Sequence, residues 1–210
     1  MTSGDTAGPS GPRRRGKVLE QAIFQATLDE LVAVGYARLS MEAVAVGART
    51  GKAAIYRRWP SKEELVLDTL RATLPEPGPA PDTGGLRGDL LELVTRSRAA
   101  MISLPGCAGR VIMGELDHER AEPFMGLMHQ RVIAPSKSLL RDVLARGALR
   151  GEVRADANNP LVIDVIPALM MYRAKVHGPP AEAEVVELVD QVLLPMVRAR
   201  AEAAGPPAVG

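Results

Sequence analysis

A single cysteine, Cys107, in a chain of 210 residues excludes an intramolecular disulfide framework, and together with three scattered histidines it leaves no metal-ligand spacing. No metal and no cofactor is expected, and a reducing cytoplasmic setting fits. Aromatic residues are as scarce. One Trp, three Tyr and two Phe offer few stacking surfaces, so an aliphatic or small aromatic ligand is expected before a large planar one. Long hydrophobic runs are missing too: the most apolar stretch, Leu161 to Tyr172, is interrupted by Asp164 and Pro167 and falls short of the roughly 20 residues of a membrane span, so no membrane partner is expected. Residues 1–16 lack the apolar centre of a signal peptide. Rich in Gly, Ser and Pro and carrying Arg13, Arg14 and Arg15, they read as a disordered basic arm, which either reaches a polyanion or stays in solvent.

The net charge of +1 hides an asymmetry. Residues 11–62 hold ten Lys or Arg against four Asp or Glu, whereas residues 63–210 hold sixteen against twenty. A polyanion-binding head on a mildly acidic body is the simplest reading, and a solvated basic face is the alternative that composition leaves open.

Apolar residues recur at helical rather than strand spacing, so the fold class is all-α. A first helix is expected from about Lys17 to Val34, with Phe24, Leu28, Leu31 and Val32 on one face and Gly35 ending it. Ser40 can cap a second, Met41 to Gly47; Gly51 opens a third that Pro60 stops, and Ser61 caps a fourth. Pro75 to Gly85 reads as an exposed linker. Beyond it, Leu86 to Leu104 forms a helix ended by Pro105 and Gly106, followed by a short piece over Arg110 to Asp117. A long helix runs from Glu122 to Arg146, opened by Pro123 and bent at Pro135. The last two helices, about Asn159 to Val176 and Glu182 to Ala203, carry Pro167 and Pro195, where kinks are expected. Both are broadly apolar and need covering on more than one side, which a second subunit supplies in a four-helix contact; a homodimer through 159–203 is expected. Full burial within one subunit is the alternative.

Residues 40–62 read SMEAVAVGARTGKAAIYRRWPSK. Two short helices joined by a tight turn, the second flanked by cations, are what a helix-turn-helix requires, since the second helix must enter a major groove about 12 Å wide. Gly51, Ala53 and Ala54 let its backbone approach base edges. Lys52 can reach a guanine or a phosphate, Tyr56 can offer its hydroxyl to a phosphate oxygen, and Arg57, Arg58 and Lys62 stand where the DNA backbone passes.

This block resembles the TetR family of repressors in Val44-Ala45, Ala48, Lys52, Ala53-Ala54, Ile55, Tyr56, Arg57-Arg58, Trp59, Pro60, Ser61, Lys62 and Glu63, within a match that covers about Val18 to Leu67. The resemblance implies that Ser40, Lys52, Tyr56 and Lys62 hold phosphates, that Thr50, Gly51, Ala53 and Ala54 lie near bases, and that a homodimer sits on a roughly palindromic double-stranded operator. One residue departs from the pattern. The turn position that is usually glycine in the family is Arg49, which would strain a left-handed turn; either the turn is regular here or Arg49 adds a phosphate contact that offsets the cost.

The expected organisation is therefore the arm, a three-helix helix-turn-helix domain over 17–63, and a helical effector-binding and dimerisation domain over 64–206. Coupling between them is expected through the fourth helix. Family members hold a small effector between C-terminal helices, and Met101, Met113, Leu116, Phe124, Met128 and Met170 are the candidates to line an apolar pocket, with His118 and His129 as polar candidates; plain core is the alternative for each methionine. Asp117-His118-Glu119-Arg120 cannot converge around a helix and reads as a solvated turn. With no nucleophile, base and orienting group, an enzyme is not expected. The expected function is a sequence-specific DNA-binding regulator, a repressor released from its operator by a small hydrophobic or amphipathic effector. A helical binding protein without DNA affinity is the alternative, and leaves Tyr56 and its cationic neighbours unexplained.

Overall fold

A computed structural model describes residues 16–199. The expected arm over Met1–Arg15 and the expected end of the last helix beyond Ala199 lie outside them. Among the described residues the chain is helical, with one isolated antiparallel bridge between Val153 and Arg198. It divides into two compact units at Thr73/Leu74, ten residues beyond the boundary expected from sequence.

The first unit holds α1 (Lys17–Arg38), α2 (Met41–Gly47), α3 (Lys52–Tyr56) and α4 (Lys62–Thr73). Ile23, Thr27, Leu28 and Leu31 of α1 are buried at three-four spacing, while Val32 is exposed, contrary to expectation. Gly35 leaves helical geometry at φ 85, but one further turn follows it to Arg38. Ser40 and Ser61 behave as expected: the Ser40 hydroxyl accepts from Ala43 N at 3.1 Å and the Ser61 hydroxyl from Glu64 N at 3.1 Å. Leu65, Val66, Thr69 and Leu70 bury one face of α4, which packs on α1, and for that reason α4 belongs to the first unit.

The second unit holds α5 (Leu86–Ile102), α6 (Leu104–Glu115), α7 (His118–Met128), α8 (Ala134–Leu149), α9 (Pro160–Val176), α10 (Glu182–Glu187) and α11 (Leu194–Val197). Its core is Leu90, Leu93 and Val94 of α5, Val143 and Leu144 of α8, Ile163 and Ile166 of α9, and Val189 and Leu193 near the C-terminus. Pro105 and Gly106 do not end a helix as expected; they start one. Ser103 caps α6 by accepting from Gly106 N at 3.3 Å, with Pro105 in the first turn, where its missing N–H costs nothing. A Cβ on Gly106 would lie 2.2 Å from the Ala100 carbonyl oxygen, so only glycine allows this corner. Likewise α7 begins before Pro123, at a cap in which Asp117 accepts from Arg120 N at 2.9 Å.

Between α7 and α8 the helix passes through a π turn, His129–Ile133, and a second π turn, Leu188–Leu193, joins α10 to α11. Each ends two residues before a proline, Pro135 and Pro195. A proline lacks the N–H for its own helical bond and crowds the carbonyl one turn back, and a wide turn just ahead of it relieves both. The long helix closes at Arg150 and Gly151 rather than Gly147, and the last one ends at Val197 rather than Ala203, where Arg198 turns extended to meet Val153.

The stretch from Pro75 to Gly85 forms no helix and is mostly exposed, as expected, yet it is fastened to its own unit. Arg96 donates to the Pro79 carbonyl at 2.8 Å, Arg146 to that of Pro81, and Thr83 donates its amide and hydroxyl to Asp89 at 2.6 and 2.9 Å. Asp89 is fully buried and also accepts from Arg150 at 3.0 Å. Glu152 accepts from Arg150 at 2.9 Å and from the free Leu86 amide of α5 at 2.6 Å.

Candidate nucleic-acid interface

The turn between α2 and α3 is a Schellman motif. Thr50 N donates to the Ala45 carbonyl at 2.9 Å and Arg49 N to that of Val46 at 3.0 Å, which places Arg49 in the left-handed position at φ 55. Arg49 is the one non-glycine residue with positive φ among the described residues. At the end of α8 the same pair of bonds, Glu152 N to Gly147 O and Gly151 N to Ala148 O, is made around Gly151 at φ 73. One chain thus uses the motif twice, once with glycine and once with arginine. The turn is therefore not regular at Arg49, contrary to one of the two alternatives: the backbone takes the strained left-handed geometry there. Arg49→Gly is expected to stabilise the first unit by about 1 kcal/mol, read as a higher urea midpoint at unchanged slope; a lower midpoint would sink the strain argument.

Ile55 is fully buried and pins α3 to the unit, leaving Gly51, Lys52, Ala53, Tyr56 and Arg57 on its open side, with Thr50 and Ala54 half-buried. Arg57 and Arg58 lie in a turn beyond α3, which ends earlier than the expected Trp59. Trp59 is buried; its ring meets Phe24 at 5.7 Å between centroids, and its N–H donates to Asp68 at 3.0 Å. This one side chain joins the end of α3 to α1 and α4.

The cations predicted to meet DNA fall into two groups. Lys52 pairs with Glu42 and lies 5.3 Å over the Tyr56 ring. Arg58 pairs with Glu20 at 3.4 Å, and Lys62 donates to the Tyr36 and Ala37 carbonyls at 2.9 and 3.2 Å, capping the end of α1 and lying 4.7 Å over the Tyr36 ring. The guanidiniums of Arg49 and Arg57, both exposed, make no hydrogen bond or ion pair among the described residues. Ser40 spends its oxygen on the α2 cap, with its hydroxyl proton still available to an acceptor. The sequence did not reveal the internal partners, which lie ten to 38 residues from the cations they hold.

A short helix presented on its open side by small residues, with two exposed arginines at its two ends, has the form that enters a major groove. Comparisons of the whole chain agree. Residues 23–69 match the family model for bacterial regulatory proteins of the tetR family, and residues 80–192 that for the tetracyclin repressor-like C-terminal domain. The chain belongs to the TetR family. It is a DNA-binding transcriptional regulator. This TetR-family regulator is 33% identical over 187 residues to a DNA-binding transcriptional repressor, TetR, of Mycobacteroides abscessus, covering 88% of this chain and 96% of the relative. An HTH-type transcriptional regulator of Mycobacterium tuberculosis, described as uncharacterized, is 33% identical over 180 residues, or 84% and 86% of the two chains. In fold it is similar to a TetR transcriptional regulator from Agrobacterium tumefaciens, with a TM-score of 0.68 over 86% and 94% of the chains at 14% identity. Regulators of this family bind operator DNA and act as dimers with ligand-binding domains.

In the second unit, the six residues expected to line a pocket are buried or half-buried. Met170 is buried in the core and Met101 packs against it; Phe124 is buried, and Met113, Leu116 and Met128 are half-buried. His118 and His129 are exposed. An open groove lies elsewhere, lined by Ile133, Lys137, Asp164, Pro167, Met171 and Tyr172 among others, and crossed by the Lys137–Asp164 ion pair. No helix among the described residues is long and apolar enough to cross a membrane.

Proposed function

We propose that this regulator is a repressor that holds a roughly palindromic operator as a homodimer and lets go when a small hydrophobic or amphipathic effector enters its C-terminal unit. The observation that carries the DNA-binding half is the Arg49–Arg57 pair: two exposed guanidiniums, unpartnered among the described residues, flanking a small-residue helix that follows a strained turn. In this reading Arg49, Arg57 and Tyr56 meet phosphates, Gly51, Ala53 and Ala54 face bases, and Ser40, Lys52, Arg58 and Lys62 join after exchanging or sharing their internal partners.

A specific feature supports the dimer. α9 buries Val162, Ile163, Ile166 and Met170 within the subunit while leaving Leu161, Met171, Tyr172 and Val176 exposed, between half and four-fifths of each surface. Over 182–197 Val186 is the one large apolar side chain left exposed, so the contact is proposed to centre on α9. For the effector, support comes from residues 131–137, each half-buried beside a π turn, a local geometry common at functional sites.

Fluorescence anisotropy of the full-length protein against duplex from upstream of its own gene, beside a shuffled duplex, tests the reading. Selective binding at two subunits per site is expected, with Arg57→Ala weakening it about tenfold and making the log–log salt slope shallower by about 0.9 for each phosphate left without its cation. Arg49→Gly is expected to bind more weakly although it folds more firmly. Absence of binding to any DNA would sink the proposal, and would return the helical binding protein to first place.

A further inference from the structure

Between Leu39 and Lys62 the chain has five cations, Arg49, Lys52, Arg57, Arg58 and Lys62, and one carboxylate, Glu42. A lone carboxylate on a surface that must approach phosphates is repelled by the DNA backbone, and the neighbouring α2 positions on that surface carry no charge. Glu42 stands in the first turn of α2, about half exposed, and its partner is Lys52, the first residue of α3, about half exposed as well. The single carboxylate between Leu39 and Lys62 is thus bound to the lysine at the head of the reading helix.

We propose that Glu42 is a specificity-determining residue, which withholds Lys52 from phosphates and makes the head discriminate among sequences; this rests on the placement of Lys52 at the DNA given above. When α3 enters a groove, Lys52 either stays on Glu42 and neutralises no phosphate, or leaves and strands a carboxylate facing DNA. DNA offers a carboxylate few partners. The backbone supplies only acceptors, and in the major groove the donors are the amino groups of cytosine and adenine. A sequence with an amino group opposite Glu42 gives the carboxylate a new hydrogen bond and frees Lys52 for the backbone. Any other sequence leaves one of the two charges unmatched. Glu42 therefore lowers the affinity for DNA in general and lowers it least for the right site, so that discrimination arises from a penalty on the wrong partner.

The test uses the full-length dimer, the tightest duplex recovered from a random pool, and a shuffled version of it. Glu42→Gln keeps the length and removes the charge. It is expected to bind the shuffled duplex about tenfold more tightly and the selected duplex by less than about threefold, with a salt slope on the shuffled duplex steeper by about 0.9 per subunit as Lys52 takes up a phosphate. In Lys52→Ala the same Glu42 substitution is expected to leave the slope unchanged. Equal gains on both duplexes, no gain on either, or a gain that persists without Lys52 each overturn the proposal. Lys52→Ala alone, if it binds like the parent chain, overturns the placement of Lys52 instead. Circular dichroism melts confirm that each variant is folded.

Discussion

Trp59→Ala is expected to unfold the first unit at ambient temperature and to abolish DNA binding, while the second unit keeps its own melting transition. Removing a buried tryptophan costs about 3 to 5 kcal/mol. A unit of this size, at roughly 0.05 to 0.15 kcal/mol per residue, has about 3 to 9 kcal/mol in all. The loss falls on a junction, since the ring contacts Phe24 of α1 and its N–H reaches Asp68 of α4 from the end of α3. Trp59→Phe keeps an aromatic ring against Phe24 and gives up the hydrogen bond, so a milder loss of about 1 kcal/mol is expected. Differential scanning calorimetry of the full chain is the measurement; a Trp59→Ala protein with both transitions intact would show that the junction is held by other contacts.

The second large effect belongs to Asp89. Asp89→Ala strips the acceptor from the Thr83 amide and hydroxyl and from Arg150, and a loss of about 2 to 4 kcal/mol from the second unit is expected. The effect depends on pH. Burial is the largest single influence on the Asp89 carboxyl and pushes its pKa up, but the hydrogen bonds from Thr83 and Arg150 together outweigh it and hold the pKa below the ordinary carboxylate value. Glu152 is held low as well, first by its hydrogen bond from Arg150 and then by the Leu86 amide. A carboxylate whose pKa is depressed by folding stabilises the native state above its unfolded pKa, near 4, and ceases to do so as the pH falls through the folded value. Urea midpoints measured at pH 7 and pH 3 are therefore expected to differ more in the parent chain than in Asp89→Ala. Equal differences would mean that other carboxylates govern the acid limb.

The helix-turn-helix is legible in the sequence because its signals are local. Ser40 and Ser61 as caps, Gly51 before α3 and Pro60 after the following turn each act within one helical turn of where they stand. The strain that a left-handed Arg49 carries also follows from its place in the turn, although the sequence left a regular turn open. The body is harder to read because its prolines admit two readings. In sequence Pro105 and Pro123 look like a stop and a start; in the fold they lie in a first turn and inside a helix, a choice that depends on Ser103 and Asp117 serving as caps. A π turn inserts one residue into the helical period and so hides from a search for that period. The pairing of cations is hidden for a different reason: Glu20 and Arg58 meet only after α1 folds across the turn beyond α3. Asp89 has one sequence signal, its place in a helical first turn six residues after Thr83, but burial of a carboxylate is decided by what packs over it.

Trp59 is also the only indole in the chain, and it lies entirely in the DNA-reading unit. Emission excited at the red edge of protein absorption, where the three tyrosines do not absorb, therefore comes from that unit alone. The protein carries its own optical reporter: a titrant that alters the junction of α1, α3 and α4 changes the colour or lifetime of this one fluorophore, and an effector confined to the body registers only to the extent that its influence arrives at the head.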